Sequence, residues 1–269
     1  MIDYIKRAFY EPNWKLAIRK IHNNEFNNIK NNNIEYNLIV SDKDCWYADP
    51  FLISKGGSIY IFCECYLIKK RKGVIAAGEY KNGKVEDMRI IIEQDYHMSY
   101  PCVFEYGSQY YMIPETADNK TIDLYRARKF PYEWELSKTL LKNINCVDST
   151  VIITEDDVFI IGYRLGKCNR ICIFHFDIIN ETLQFLDEQE DSSGRPAGNI
   201  IFVNNKLIRP VQMSKKKYGE SIIFKEITSI KDYHEEPLLY LEGKDILVKG
   251  EKKVDRIHTF NRIQNIEII

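Results

Sequence analysis

The sequence predicts an all-β protein: a five-bladed β-propeller with ring closure by N- and C-terminal strands. Three observations carry this. Short apolar runs with alternation, separated by turn signals, dominate the chain. An internal repeat recurs about every 46–52 residues. Aromatic residues make up 13% of the 269 residues, and aromatic side chains favour the pleated surface of strands.

The runs include Pro50–Ile53, Ser58–Cys63, Gln109–Ile113, Val158–Tyr163, Ile171–Phe176 and Ser221–Ile227. Between them stand Lys55-Gly56-Gly57, Asn82-Gly83, Tyr106-Gly107-Ser108 and Asn204-Asn205, residues that tolerate the tight backbone of turns. Helical periodicity is weak. The best helix candidate is the N-terminal stretch to about Asn24, although it contains Pro12. The Asn-rich stretch His22–Asn33 reads as a loop.

The repeat sets four starts in register. They are Asp49-Pro50-Phe51, Tyr100-Pro101-Cys102, Asp148-Ser149-Thr150 and Arg195-Pro196-Ala197. The first three lead through a turn into an apolar run such as Ile59–Phe62, Tyr110–Ile113 or Val158–Ile161; the fourth reaches Lys206-Leu207-Ile208. About four strands per unit of this period make a propeller blade. The leftover ends, Met1–Cys45 and about Tyr240–Ile269, then form the fifth blade, with Arg256–Phe260 beginning its inner strand. Closing the ring with both termini leaves no long exposed edge. Residues 1–269 are expected to form a single propeller domain with blade starts near 49, 100, 148, 195 and 257.

Composition narrows the partners. Lys plus Arg is 38 against 39 for Asp plus Glu, a net charge of -1, so the basic excess of a general nucleic-acid binder is missing. No apolar run reaches the roughly 18 residues of a membrane span. The N-terminus lacks the apolar core of a secretory signal. The seven cysteines match no zinc-ligand spacing and read as reduced buried thiols. A cytoplasmic protein without metal or cofactor is expected. No phosphate loop, dinucleotide fingerprint, HExxH or GxSxG is present.

In a propeller, inner strands of all blades begin at one mouth, so residues near the repeat starts converge there. Those residues are polar: Trp46 and Asp49, His97 and Tyr100, Asp148, Arg195 and His258. The far end of the next strand adds Glu64, Glu115 and Arg209. A concave site with convergent polar groups is where ligand chemistry is expected. Asp49 and Asp148 form a pair suited to glycosidic chemistry, one ionised as base or nucleophile and one protonated as acid. The alternative is an ion-pair network with Arg195. Two guanidiniums, Arg195 and Arg209, would suit a phosphate bound bidentately. That points to a phosphate-activated sugar or a nucleotide sugar. Lys215–Lys217 reads as a solvated loop that could add phosphate affinity. Trp46, Tyr100, Tyr218 and Tyr111 offer rings for a sugar face, with Tyr111 also readable as core. His97 and His258 could bond hydroxyls or move a proton, and Gln212 could read a hydroxyl or amide.

The segments YADPFLI, GVIAAGEY, HMSYPCVFEYGSQYYMIPET, LYRARKFPYEW, CVDSTVI, SSGRPAGNIIF, LIRPVQ and YGESIIFKEI resemble a known domain. It is the propeller at the N-terminus of plant glucosamine inositolphosphorylceramide transferases, with bacterial homologues associated with formyltransferase modules. The resemblance runs over about Trp46–His258. More distantly, the chain is similar to the arabinanase/levansucrase/invertase clan of five-bladed propellers. That resemblance implies a base or nucleophile at Asp49. The clan's second-blade acid position holds Tyr100, and its third-blade Glu falls at Asp148. Together these readings predict a carbohydrate-active protein of surface-glycan biosynthesis, first a glycosyltransferase with a phosphate-activated donor. The alternatives are an arabinanase-like glycoside hydrolase and a non-catalytic glycan-binding or transferase-assisting module. Expected partners are the sugar substrate and enzymes of glycan biosynthesis.

Overall fold

Alternating apolar residues with Gly and Asn turns every ten residues or so leave the chain one way to bury its faces, as antiparallel meanders packed side by side. The computed structural model describes residues 13–22, 26–30, 34–190, 194–214 and 217–269. Near the N-terminus lie two strands, Leu16–Lys20 (β1) and Asn37–Ile39 (β2). Blade one holds Cys45–Lys55 (β3), Ser58–Leu67 (β4), Lys72–Lys81 (β5) and Lys84–Ile92 (β6). Blade two holds Ser99–Tyr106 (β7), Gln109–Thr116 (β8), Thr121–Lys129 (β9) and Glu133–Lys142 (β10). Blade three holds Cys146–Ile153 (β11), Val158–Arg164 (β12), Arg170–Asp177 (β13) and Thr182–Glu190 (β14). Blade four holds Ile201–Val203 (β15), Lys206–Met213 (β16), Ser221–Ser229 (β17) and His234–Glu242 (β18). The chain ends with Asn261–Ile263 (β19) and Ile266–Ile268 (β20).

Each of the first four blades is a four-stranded antiparallel meander. The fifth sheet has the order β19-β20-β1-β2. The C-terminus supplies its first two strands and the N-terminus the other two, so this five-bladed propeller closes with both chain ends as predicted. The apolar core lies between blades. Phe51 and Phe62 of blade one pack with Met112 and Leu124 of blade two, all fully buried. The outermost strands β6, β10, β14 and β18 are exposed or half-buried along nearly their whole length.

Four local expectations are corrected. The N-terminal helix is absent where described, because Leu16–Lys20 is strand β1, paired with β20 at Ile18↔Ile268. Ring closure offers this stretch a sheet edge that outweighs its local pattern. Residues 1–12 of that reading lie outside the described residues. Within the Asn-rich loop, Phe26–Lys30 forms a short 3-10 helix. Tyr240 belongs to β18 of blade four, not to the closing blade. Arg256–Phe260 is not yet strand; the inner strand starts at Asn261. There the Ile257 and Phe260 amides donate to Gly219 and Ala197 carbonyls of blade four at 2.9 and 2.7 Å. Gly198 makes this seam close. Its φ is +133°, and a Cβ would sit 2.0 Å from the Phe260 carbonyl oxygen. Among the described residues no helix is long and apolar enough to cross a membrane.

The closing blade contains a buried charge cluster. Arg19 Nε and Tyr36 Oη donate to Glu267 Oε2 at 2.7 and 3.0 Å, and Arg262 Nε donates to Glu267 Oε1 at 2.8 Å. Arg19 also donates to the Ile29 and Ile34 carbonyls. Arg19 and Glu267 are almost fully buried. Removing the carboxylate leaves two guanidiniums without their shared counter-charge, a far larger penalty than breaking a surface pair. Glu267→Ala is therefore expected to lower unfolding stability by about 3–5 kcal/mol, read as the shift in urea midpoint. A loss like that of a surface pair would show the cluster does not hold the ring.

Candidate active site at the propeller hub

Inner strands β3, β7 and β11 carry the same defect at the same place. Their pairing with the next strand slips between Ala48 and Phe51, Ser99 and Cys102, and Val147 and Thr150. In each slip one residue has left-handed φ: Asp49 at +48°, Tyr100 at +45° and Asp148 at +50°. A side chain in this conformation costs about 1–2 kcal/mol, and a bulge re-aims the residue that carries it. Repetition of a costly conformation at three repeat starts marks the hub as the place where side-chain direction matters.

Two carboxyl clusters result. Asp49 Oδ1 is 2.9 Å from His258 Nε2 and accepts from Thr259 Oγ1 at 3.0 Å. Across the hub, Arg195 bonds Asp148 through Nε, and its Nη2 donates to Asp148 Oδ1 and Glu115 Oε2, each at 3.1 Å. Ser99 Oγ donates to the same Glu115 oxygen at 3.4 Å. Gln212 Nε2 donates to the Pro196 carbonyl at 3.0 Å and lies 3.4 Å from Asp148 Oδ2. Glu64 stands 3.5 Å from His97 Nε2, whose other ring nitrogen accepts from the Gly73 amide at 2.9 Å.

The second-strand acids have a common origin. Glu64 pairs with Ala48 and Glu115 with Ser99, each opposite the residue just before the bulge. Blade two therefore contributes a carboxyl group to the hub although its repeat start is Tyr100. Tyr100 itself is fully buried. Its hydroxyl accepts from the Gly198 amide at 2.7 Å and lies 2.9 Å from Thr150 Oγ1. It joins blades two, three and four as a plug rather than presenting a ring to a ligand.

The remaining predicted residues divide. Trp46 is buried and stacks on Tyr66 at 4.5 Å, and Tyr66 lies 6.3 Å from His97. Tyr218 lies 5.4 Å from the His258 ring. Tyr111 stacks on Phe104 at 5.7 Å within blade two. Arg209 is fully buried and turned elsewhere. Its Nε and Nη2 fork onto Glu235 at 2.8 Å, and Nη1 donates to the Gly194 carbonyl. It stands outside the Arg195 cluster. Lys215 and Lys216 lie outside the described residues, and Lys217 is exposed. Two neighbours of Asp49 were not legible. Thr259 gave no signal beyond its place beside His258. Trp14, 4.1 Å from the His258 ring, sat in a stretch that read as helix.

Among the described residues four carboxyl groups share this hub with one arginine, and electrostatics separates them. Burial pushes the Asp49 carboxyl up, but the bond and charge of His258, with Arg195 and Thr259, outweigh it and hold Asp49 below its ordinary range. Burial, then the Asp148 charge, push Glu115 well above its ordinary range despite Arg195. Asp148 is raised too, first by burial. Glu115 and Asp148 both accept from Arg195 Nη2, and two carboxyl groups that close disfavour ionising together. Burial lowers the His97 imidazole. Among the described residues no cluster of three or more His, Cys, Asp or Glu could hold a metal ion.

The architecture is that of five-bladed propellers found among glycoside hydrolases. The catalytic domain of the Coprinopsis cinerea GH62 α-L-arabinofuranosidase aligns with TM-score 0.62 at 13% identity, over 81% of this chain and 78% of that one. An exo-1,5-α-L-arabinanase from a bovine ruminal metagenomic library aligns with TM-score 0.55 at 13% identity, over 86% and 94%. These likenesses establish the fold. The sequence family is more specific. The family described as glucosamine inositolphosphorylceramide transferase 1, N-terminal, matches residues 39–261, and the chain belongs to it. A glucosamine inositolphosphorylceramide transferase 1 of Oryza sativa subsp. indica is 36% identical over 206 residues, 71% of this chain and 28% of that protein. The Arabidopsis thaliana protein of the same name is 37% identical over 117 residues, 43% of this chain and 15% of that protein. The chain thus matches less than a third of the length of these relatives.

The raised Glu115 carboxyl has a stability consequence. Its protonated form is the one folding favours. That contribution is fully present below its ordinary value of 4.5 and is lost as pH rises through the folded value. Glu115→Gln keeps the neutral form at every pH. Its melting temperature is expected to match the parent at pH 4 and exceed it at pH 8, by about 1–2 kcal/mol of stability. A difference independent of pH would show that folding does not raise the Glu115 carboxyl.

Proposed function

We propose that this protein is a carbohydrate-active enzyme that breaks or transfers a glycosidic linkage at the hub. Asp49 serves as the ionised base or nucleophile, and the Glu115–Asp148 pair as the proton donor. One observation carries the reading: within one hub Asp49 is bonded by His258 and Thr259, while Glu115 is buried beside Asp148 and shares its arginine, an arrangement that lowers the first carboxyl and raises the second. Glycosidic cleavage needs that division of labour. The proton from Glu115–Asp148 goes to the leaving oxygen, while Asp49 either attacks the anomeric carbon or takes a proton from the incoming hydroxyl.

A phosphate-activated donor has less support. It rests on two guanidiniums, Arg195 and Arg209, meeting at the hub. Arg209 is engaged by Glu235, and Arg195 is already shared by two carboxyl groups. A diphosphate entering this hub would meet more carboxylates than cations. A second reading is a glycan-binding module that assists a transferase. It is favoured by the match to less than a third of relatives named as transferases.

Asp49→Asn is expected to reduce turnover of aryl glycosides or oligosaccharides by about 10²–10⁴-fold. The variant should fold, as judged by circular dichroism. Uridine diphosphate should leave the melting temperature unchanged, while a bound oligosaccharide raises it by mass action. Stabilisation by the diphosphate with turnover insensitive to Asp49→Asn would return the donor reading. Glycan binding with no turnover by any variant would leave the module.

A further inference from the structure

Beside the hub lies a cavity of about 720 Å3, within the size range of small-ligand sites. It shares Asp49, His258 and Thr259 with the hub. Its far wall belongs to other parts of the chain: Trp14, Leu16 and Leu38 from the closing blade, and Val254 and Ile257 from the segment leading back to it. The lining therefore joins the closing blade to the base of the proposed reaction.

Two features describe its occupant. The first is charge. Lys15, Lys253 and Arg256 line the cavity together with Asp49, Glu251 and Asp255. Two opposite pairs are joined directly, Lys15 to Glu251 at 2.6 Å and Lys253 to Asp255 at 2.8 Å. Among the described residues three cations face three anions, a balance that selects neither a phosphate nor a cation. The second is an aromatic wall. The half-buried Trp14 indole packs on the His258 ring at 4.1 Å and edge-on to Tyr218 at 5.9 Å. Gly219 keeps room for it: φ is +69°, and a Cβ there would sit 2.8 Å from Trp14 Cη2. Apolar wall, indole and paired charges match an uncharged ring with one C–H face and a hydroxyl rim.

We propose that this cavity is a second sugar subsite, holding an uncharged sugar ring next to the ring processed at Asp49, with Trp14 as its stacking wall. The proposal rests on the hub acting on a glycan, and it adds that the substrate spans at least two rings. The neighbouring ring leaves with the glycosidic oxygen or brings the accepting hydroxyl. Trp14 touches that ring, and through His258 it also braces the Asp49 carboxylate.

The test is isothermal titration of the whole chain with arabinose, xylose, galactose and glucose, and with the disaccharide of each. For the sugar that binds the hub, the disaccharide is expected to bind about tenfold tighter, about 1.4 kcal/mol. Trp14→Ala should remove that gain while the monosaccharide still binds. Trp14→Leu, which keeps apolar bulk against His258, should lose the gain as well and serves if the alanine variant does not fold. Trp14→Phe should retain part of it. A disaccharide no tighter than its monosaccharide, or a gain that survives loss of the indole, overturns the subsite and leaves the hub reading intact. Failure of every sugar to bind overturns the hub reading, and the subsite with it.

Discussion

The β1–β20 pairing is the constraint on which every other feature depends. Four meanders in a row make an arc with two open edges. Only when Ile18 pairs with Ile268, near the two ends of the chain, do five sheets surround one hollow. Asp49 of blade one then meets His258 and Thr259 of the closing segment, more than two hundred residues away. The same closure requires Glu267 to sit unexposed between Arg19 and Arg262. Buried ion clusters rarely add net stability over apolar packing of equal volume, but a cluster with a single good register disfavours slipped pairings. Strands as short as β19 and β20 need such a marker, since a one-residue slip would turn their buried face outward.

Closure creates an electrostatic problem and the hub exploits it. Among the described residues four carboxyl groups are drawn into one buried place beside a single arginine, and they cannot all ionise there. The Asp49 side has hydrogen-bond donors and an imidazole; the Glu115 side has burial and a like charge. The protonation pattern follows from position, with no metal or cofactor invoked. Three left-handed residues at the bulges show that the fold tolerates strain to aim these groups. Such strain persists only when its surroundings over-determine it, as the plugged, multiply bonded Tyr100 does for blades two to four.

Much of this was legible from residues alone, and the boundary has a physical basis. The repeat exposed the blades because each blade buries the same two faces and therefore repeats the same pattern. Asp49, Asp148, Arg195 and His258 were legible because polar residues at or shortly before the inner strands have little reason to be there except the hub. What pattern could not reveal was direction. Arg209 has the right residue type at a blade's second strand, yet Glu235 on the outer strand β18 claims it. Tyr100 occupies an acid position, yet its ring points into the seam. Strand β1 read as helix because its partner lies at the other end of the chain, and no local window contains both.

The blade-two exchange carries the broadest implication. The clan pattern expects an acid at the position that Tyr100 occupies. A repeat start and the residue opposite its neighbour are adjacent across one strand pair, as Ser99↔Glu115 is. A carboxyl group can therefore move from the first strand to the second without leaving the hub. The vacated position is then free for a side chain that seals the floor. On this view Tyr100 and Glu115 together replace one acid: one takes over the packing, the other the charge. Comparing propellers residue by residue along inner strands alone would miss that compensation, and would count the carboxyl group as lost.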